Sequence, residues 1–220
     1  MEDQTCVPRP VRILGGISGI AGILMIGTSF MINPGPPPDA IPAQLIAFGT
    51  QYYSSILWGA WLQAVGPVFI VLFAFTLVHL AGANKRISGW MTFFGAGVLM
   101  MVSLIEIAFY IAVLFITPPV NMLICLNVIY AVQHLYFIVA APAFFIPLGI
   151  VLVKSEVLSK LFGYLAILLG LAFVVLGMAF LQKLVLPMWV TAFAGVQAIW
   201  WLAASISLIL RSRKITASTE

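Results

Sequence analysis

The sequence predicts an all-α fold, a six-helix transmembrane bundle with both termini in the cytoplasm, and three observations support it. Hydrophobic residues make up 63% of the 220 residues and charged residues only 7%, whereas a soluble protein carries about 25% charged residues. The apolar residues form runs of about 20 or more, which is the length of a helix that crosses a bilayer. Basic residues lie almost only at the ends of these runs. Strands of a membrane barrel would instead alternate in polarity over about ten residues.

The six apolar runs form a single predicted transmembrane domain that extends over residues 1–220. The first run is longer than the apolar region of a signal peptide and no cleavage pattern follows it, so we expect a retained helix. Pro67 in the second run, and Pro142 and Pro147 in the fourth, predict kinks because proline leaves a backbone carbonyl without its helical donor. The predicted spans cover about 11–32, 56–81, 90–116, 122–153, 158–181 and 185–210.

The longest connection, residues 33–55, is predicted on the outer side of the membrane. It opens with a proline-rich stretch at 34–38, which cannot be the interior of a helix. Residues 40–53 follow, and their apolar residues predict a short helix at the membrane interface. At the other end of the chain, residues 211–220 are polar and form a predicted cytoplasmic tail.

Basic residues fall on one side of the membrane when the chain is threaded through six spans. Short loops rich in lysine and arginine face the cytoplasm, so we predict cytoplasmic termini and expect a bacterial plasma (inner) membrane protein. Lys183 falls on the opposite side. The nine basic residues on the predicted cytoplasmic side are Arg9, Arg12, Lys85, Arg86, Lys154, Lys160, Arg211, Arg213 and Lys214.

Small residues recur at helical spacing in three of the spans. Lipid supplies no hydrophobic force between helices, so small residues favour close packing of their backbones. We expect these faces to pack inside the bundle, and a homo-oligomer through one of them is the alternative. They are Gly15, Ser18, Gly19 and Gly22 in the first span, Gly163, Gly170 and Gly177 in the fifth, and Ala194 and Ala198 in the sixth.

Glu106 is the acidic residue that lies deep inside a predicted span. Such a residue costs about 2.5–3.5 kcal/mol on insertion scales and is a functional hypothesis by default. His134 lies in the next span at a depth that agrees within about one helical turn. A very short loop joins the two spans and makes them antiparallel neighbours, so we expect Glu106 and His134 to meet.

Further polar residues lie on the same faces or at the same depth as this pair. Gln133 is adjacent to His134 but points about 100° away around the helix. Together the polar residues predict an intramembrane cavity for a ligand or a proton relay, and the alternative is a polar clamp that fixes the helix arrangement. The candidates besides Glu106 and His134 are Ser103, Tyr110, Asn127, Tyr130, Gln63 and Gln197.

Several functional classes lack the residues that they need. A bis-histidine haem requires two histidines at one depth, whereas His79 and His134 lie at different depths. Gly16-Ile17-Ser18-Gly19 matches a serine motif of some intramembrane proteases, but no base is within reach of that serine. Cys6 and Cys125 lie on opposite sides of the predicted membrane and should not pair. We expect no cofactor, no metal and no nucleic-acid partner, and we assign no catalytic residue.

Several short sequences define the order of elements along the chain. They are Arg9-Pro10-Val11-Arg12 ahead of the glycine-rich stretch 13–22, His134 in the fourth span, Pro147-Leu148-Gly149 near its end, and Leu158-Ser159-Lys160-Leu161-Phe162-Gly163 at the start of the fifth. With the long outer loop and the basic inner loop, this order resembles a family of bacterial six-span integral membrane proteins, a domain of unknown function. The resemblance covers most of the chain and implies a six-helix bundle and no known activity.

The sequence leaves three functions open for a protein embedded in the lipid bilayer. The first is binding or transport of a small molecule, a lipid or a proton in a cavity near Glu106 and His134. The second is an intramembrane enzyme that acts on a lipid-like substrate, with these two residues as acid and base. The third is a structural or accessory subunit whose small-residue faces pack against a partner.

Overall fold

The computed structural model describes residues 9–33, 41–115, 120–182 and 187–211. Within these ranges the chain consists of helices joined by short turns and contains no strand, in agreement with the predicted fold class. The proline-rich stretch, Cys6, Lys183 and the tail beyond Arg211 lie outside the described residues. The helices are α1 Arg9–Ile32, α2 Pro42–Gln51, α3 Tyr53–Leu80, α4 Ile87–Phe115, α5 Val120–Leu135, a π-helical segment Tyr136–Ala140, α6 Ala141–Val153, α7 Lys160–Leu181 and α8 Pro187–Leu210.

Six of these helical stretches are long and apolar enough to cross a membrane, which confirms the predicted bundle. They are α1, α3, α4, the continuous stretch formed by α5, the π-helical segment and α6, then α7 and α8. The beginning of α1 and the end of α8 lie together, because the Arg12 guanidinium on α1 donates a hydrogen bond to the Arg211 carbonyl after α8. An even number of crossings requires this arrangement.

The fourth span contains the clearest departure from regular helix. The backbone N–H of Ala141 donates to the carbonyl of Tyr136, five residues earlier, and Pro142 follows immediately. Proline lacks a backbone N–H, so the carbonyl that it would have satisfied in a regular α-helix loses its donor there. Pro67, by contrast, lies inside α3, which continues as α-helix past it.

Glycine residues bring the helices of the bundle close together at two interfaces. Gly22 on α1 faces Gly66 on α3, where a Cβ added to Gly22 would lie 2.9 Å from the Gly66 carbonyl oxygen. Gly149 on α6 faces Gly163 on α7, where a Cβ on Gly149 would lie 2.6 Å from the Gly163 carbonyl oxygen. The glycine faces of the first and fifth spans are therefore occupied within the chain. Ala194 on α8 is exposed.

Helix α4 lies between the two glycine interfaces, since it packs on α3 on one side and on α5 and α6 on the other. Large side chains from α3, α6, α7 and α8 fill the core beside it, and their rings pack edge to face or stack. This rigid core fixes the position of α4, the helix that carries Glu106. The largest of these fully buried side chains are Phe73, Phe144, Phe145, Phe173 and Trp201.

Helix α2 lies in the long connection between α1 and α3 and covers the end of the bundle opposite Arg12 and Arg211. Its Leu45 side chain is buried, and the Gln44 side chain accepts a hydrogen bond from the Ile41 backbone N–H at the start of the helix. A cavity of about 30 Å³ lies beneath α2. Its walls come from the end of α1, from α2, from the start of α3, and from α4 and α5. The lining residues are Asn33, Leu45, Phe48, Gly49, Ile56, Tyr110, Val113, Met122 and Leu126.

Candidate functional site

Glu106 lies on α4 and is buried, with 8% of its surface exposed. The Gln133 side-chain amide on α5 donates a hydrogen bond to its carboxyl group, over 2.8 Å from Nε2 to Oε1. The Gln63 side chain on α3 also interacts with this carboxyl group and is itself buried. Glu106 therefore joins three spans through neutral amide groups, and no basic side chain of the described residues forms an ion pair with it.

Tyr110 connects this group to the cavity beneath α2. It lies one helical turn from Glu106 on α4, at the spacing that places two side chains on one face. Its phenol group forms a hydrogen bond with the Gln133 side chain and interacts electrostatically with Glu106. The same residue lines the cavity of about 30 Å³. Tyr110 is thus a residue that the cavity and the group around the buried carboxyl share.

The predicted contact between Glu106 and His134 does not form. The His134 ring is buried against α7, where it stacks on Phe180 at a centroid distance of 4.6 Å and an interplanar angle of 13°. Its Nδ1 atom lies 2.7 Å from the Tyr130 carbonyl oxygen of its own helix. Successive residues of a helix point about 100° apart, and the rotation of α5 directs Gln133, not His134, toward α4.

The remaining sequence candidates form no hydrogen bond with Glu106. Tyr130 packs edge to face on His134, with 55% of its surface exposed. Asn127 is exposed, and Ser103 is half-buried and forms no hydrogen bond within the described part of the chain. Gln197 on α8 bonds to the Tyr136 hydroxyl group at 2.6–2.8 Å.

Two polar residues of the site, Gln133 and Tyr136, were not among the sequence candidates. Tyr136 begins the π-helical segment, and its hydroxyl group is near enough to Glu106 for an electrostatic interaction but forms its hydrogen bonds with Gln197. The sequence signal for Gln133 was an amide in the middle of an apolar span. For Tyr136 it was the proline that follows six residues later, because proline disturbs a helix locally and π-helical turns are frequent at functional sites.

These residues form a polar layer across the bundle, which we define as Gln63, Glu106, Tyr110, Gln133, Tyr136 and Gln197. It contains a carboxyl group, amides and phenols, and these can exchange a proton or bind a cation. It holds no pair of nucleophile and base of the kind that covalent catalysis requires. In the described ranges, no group of three or more histidine, cysteine or acidic residues could hold a metal ion.

Comparisons of the chain with known protein families, with curated proteins and with solved structures found no match. The functional argument for this chain therefore depends on the geometry of its own residues.

Proposed function

We propose that this multi-pass membrane protein carries out proton-linked binding or transport of a small molecule, with the Glu106 carboxyl group as the exchanging site. One observation carries the proposal: Glu106 is buried in the middle of a span and its partners are neutral amides. A charged side chain at such a depth costs several kcal/mol unless it is compensated. A proton or a bound cation therefore accompanies Glu106 whenever its carboxyl group is shielded from water.

The surrounding groups support an exchange pathway on one side of Glu106. Tyr110 lines the cavity beneath α2 and interacts with Glu106, which supports a route from the carboxyl group to the end of the bundle that α2 covers. Glutamine amides and phenols both donate and accept hydrogen bonds, so they can stabilise either form of the carboxyl group. Tyr136 and Gln197 extend the polar layer to α8 and provide a binding surface for a polar part of the transported molecule.

The proposal includes a location in the bacterial plasma membrane with both termini in the cytoplasm. When the sequence is threaded through six spans, nine of the ten basic residues fall on the side that carries both termini. This bias supports the orientation. Membership in the bacterial six-span family is part of the same proposal. A reporter fused after Glu220 should be active only in the cytoplasm, and activity outside the cell would contradict the orientation.

The function is tested by charge movement in proteoliposomes adsorbed on a solid-supported membrane. A rapid pH jump should give a transient current with the wild-type protein, because protonation of Glu106 moves charge within the membrane. Glu106→Gln keeps the size and hydrogen bonding of the side chain but removes the titrating group, so the transient should disappear. Glu156→Gln makes the same chemical change at an exposed loop position and should leave the transient unchanged.

A transient of wild-type size in Glu106→Gln would refute the proposed role of this carboxyl group. The substrate class is identified separately, by adding compounds to the wild-type proteoliposomes, starting with small organic cations. A transported compound should give a current that Glu106→Gln lacks and Glu156→Gln retains. Equal currents in both variants would show that transport does not depend on Glu106.

A structural subunit is the second candidate, and the way Glu106 joins α3, α4 and α5 favours it. A clamp of this kind holds three helices in register and needs no exchange of protons. In that case the pH jump should give no current with any variant, while replacement of Glu106 by leucine should still destabilise the bundle. The enzyme alternative lacks support, because Glu106 and His134 face different helices.

A further inference from the structure

A second candidate binding site lies at the arginine-bearing end of the bundle, far from the polar layer. An open cleft of about 370 Å³ separates the beginning of α7 from the end of α8. A hydrogen bond from the Trp200 indole to the Phe162 carbonyl holds the two helices together next to it. The cleft is lined by Leu158, Ser159, Phe162, Ser207, Leu210 and Arg211.

The rim of the cleft is basic. Arg211 forms part of the wall, and Arg12 reaches the Arg211 carbonyl, so a second guanidinium group lies at the same end. Lys160, the first residue of α7, is exposed next to Ser159. The preceding loop adds Lys154 and Glu156, whose charges cancel. The net charge around the cleft is therefore positive, which favours an anionic ligand.

The cleft also offers neutral hydrogen-bond donors. Ser159 and Ser207 place hydroxyl groups on two opposite walls. Ser159 is the N-cap of α7, and its side chain forms no capping hydrogen bond with the helix. The first N–H groups of a helix have no partner within the helix and attract phosphate. Arginine, serine and the start of α7 together supply donors of the kinds that bind a phosphate group.

The other walls of the cleft are apolar and continue along the lipid-facing surface of the bundle. Leu158, Phe162 and Leu210 form these walls; Leu210 exposes 75% of its surface, Phe162 is half-buried, and Leu158 is buried at the base of the cleft. Both α7 and α8 are spans, so their ends lie at the depth of lipid headgroups. Basic pockets between transmembrane helices at this depth bind the headgroups of anionic lipids.

We propose that this cleft binds one anionic phospholipid, with its phosphate near Arg211 and the two serines and its acyl chains along the leucine and phenylalanine walls. The ligand class follows from the combination of basic rim, hydroxyl donors and apolar walls at the membrane surface. A free phosphate ion would share the polar contacts but not the apolar ones.

The test is native mass spectrometry of the detergent-purified protein with added phosphatidylglycerol, and with phosphatidylcholine as the neutral lipid. The variant Lys160→Gln/Arg211→Gln removes two charges at the cleft. Lys85→Gln/Arg86→Gln removes two charges from the loop before α4, at the same end of the bundle but away from the cleft. Each basic residue near the lipid phosphate contributes roughly a fivefold factor, so the cleft variant should bind phosphatidylglycerol about 30-fold more weakly.

The control variant should bind phosphatidylglycerol within about twofold of the wild type, because its charges lie outside the cleft. Equal weakening in both variants would show a general effect of surface charge and overturn the site. Phosphatidylcholine bound as tightly as phosphatidylglycerol would also overturn it. Inorganic phosphate that displaces the lipid at millimolar concentration would assign the cleft to a free anion instead.

Discussion

Replacing Gly95 by alanine should force α4 away from α6. A Cβ at this position would lie 2.5 Å from the carbonyl carbon of Ala143 and 2.7 Å from the Cα of Phe144. Both atoms belong to the backbone of α6 and cannot rotate away as a side chain would. The Ala143 carbonyl oxygen would lie closer still to this Cβ, and ordinary contact begins at 3.4 Å, so the two helices must separate locally by at least about 0.9 Å.

The cost of this separation can be measured against a matched control on the same helix. Overpacking in a tight core costs about 1–3 kcal/mol, and Gly95→Ala should lower the free energy of unfolding by this amount. Gly97 lies two residues further along α4, is exposed, and has no atom within 4 Å of an added Cβ. Gly97→Ala should raise the free energy of unfolding by about 0.5–1 kcal/mol, because alanine has the higher helix propensity.

The two variants are compared by unfolding in mixed micelles of mild detergent and dodecyl sulfate, followed by tryptophan fluorescence and circular dichroism. The expected gap between them is about 1.5–4 kcal/mol. Equal midpoints, or a Gly95→Ala protein more stable than Gly97→Ala, would refute the close backbone contact between α4 and α6.

Three further predictions concern the buried polar groups and use the same unfolding assay or a simple labelling reaction. Glu106→Leu should lower the free energy of unfolding by about 1–2 kcal/mol, because two glutamine side chains lose their acceptor, whereas Glu106→Gln should cost less; equal losses would argue against the amide contacts. Tyr136→Phe and Gln197→Leu should each lower the free energy of unfolding by about 0.6 kcal/mol. The double variant should lose no more than either, since both changes remove the same hydrogen bond, and additive losses would contradict that hydrogen bond. Cys125 is buried, so in a Cys6→Ser protein maleimide should react only after denaturation, and labelling of the folded Cys6→Ser protein would show that α5 is packed differently.

The fold class followed directly from the sequence because lipid imposes a strict requirement on the backbone. Every N–H and C=O group in the bilayer needs a partner within its segment, so long apolar runs must be helices. The glycine residues of the first and fifth spans were likewise correctly expected to pack inside the bundle, since Gly22 and Gly163 each face another backbone. Length, hydropathy and small-residue spacing are enough for these conclusions.

The composition of the site was less predictable, because it depends on the rotation of each helix about its axis. Glu106 was identified by its cost in lipid, but its predicted partner His134 was wrong, and the adjacent Gln133 contacts it instead. The choice between Gln133 and His134 is a rotation of about 100°, which the short loop between the spans does not determine. The stacking of His134 on Phe180 involves residues far apart in sequence, and no local pattern indicates it.

The π-helical segment Tyr136–Ala140 makes the fourth span sensitive to its length. A π-helical turn holds one more residue than an α-helical turn, so it offsets every position that follows by about 100°. Gly149 meets Gly163 only because of that offset. Deleting a single residue from this segment would restore a regular α-helix, turn α6 by about a quarter of a revolution and direct a bulky side chain at α7. Homologous chains that keep the glycine contact must therefore keep the number of residues between Tyr136 and Gly149.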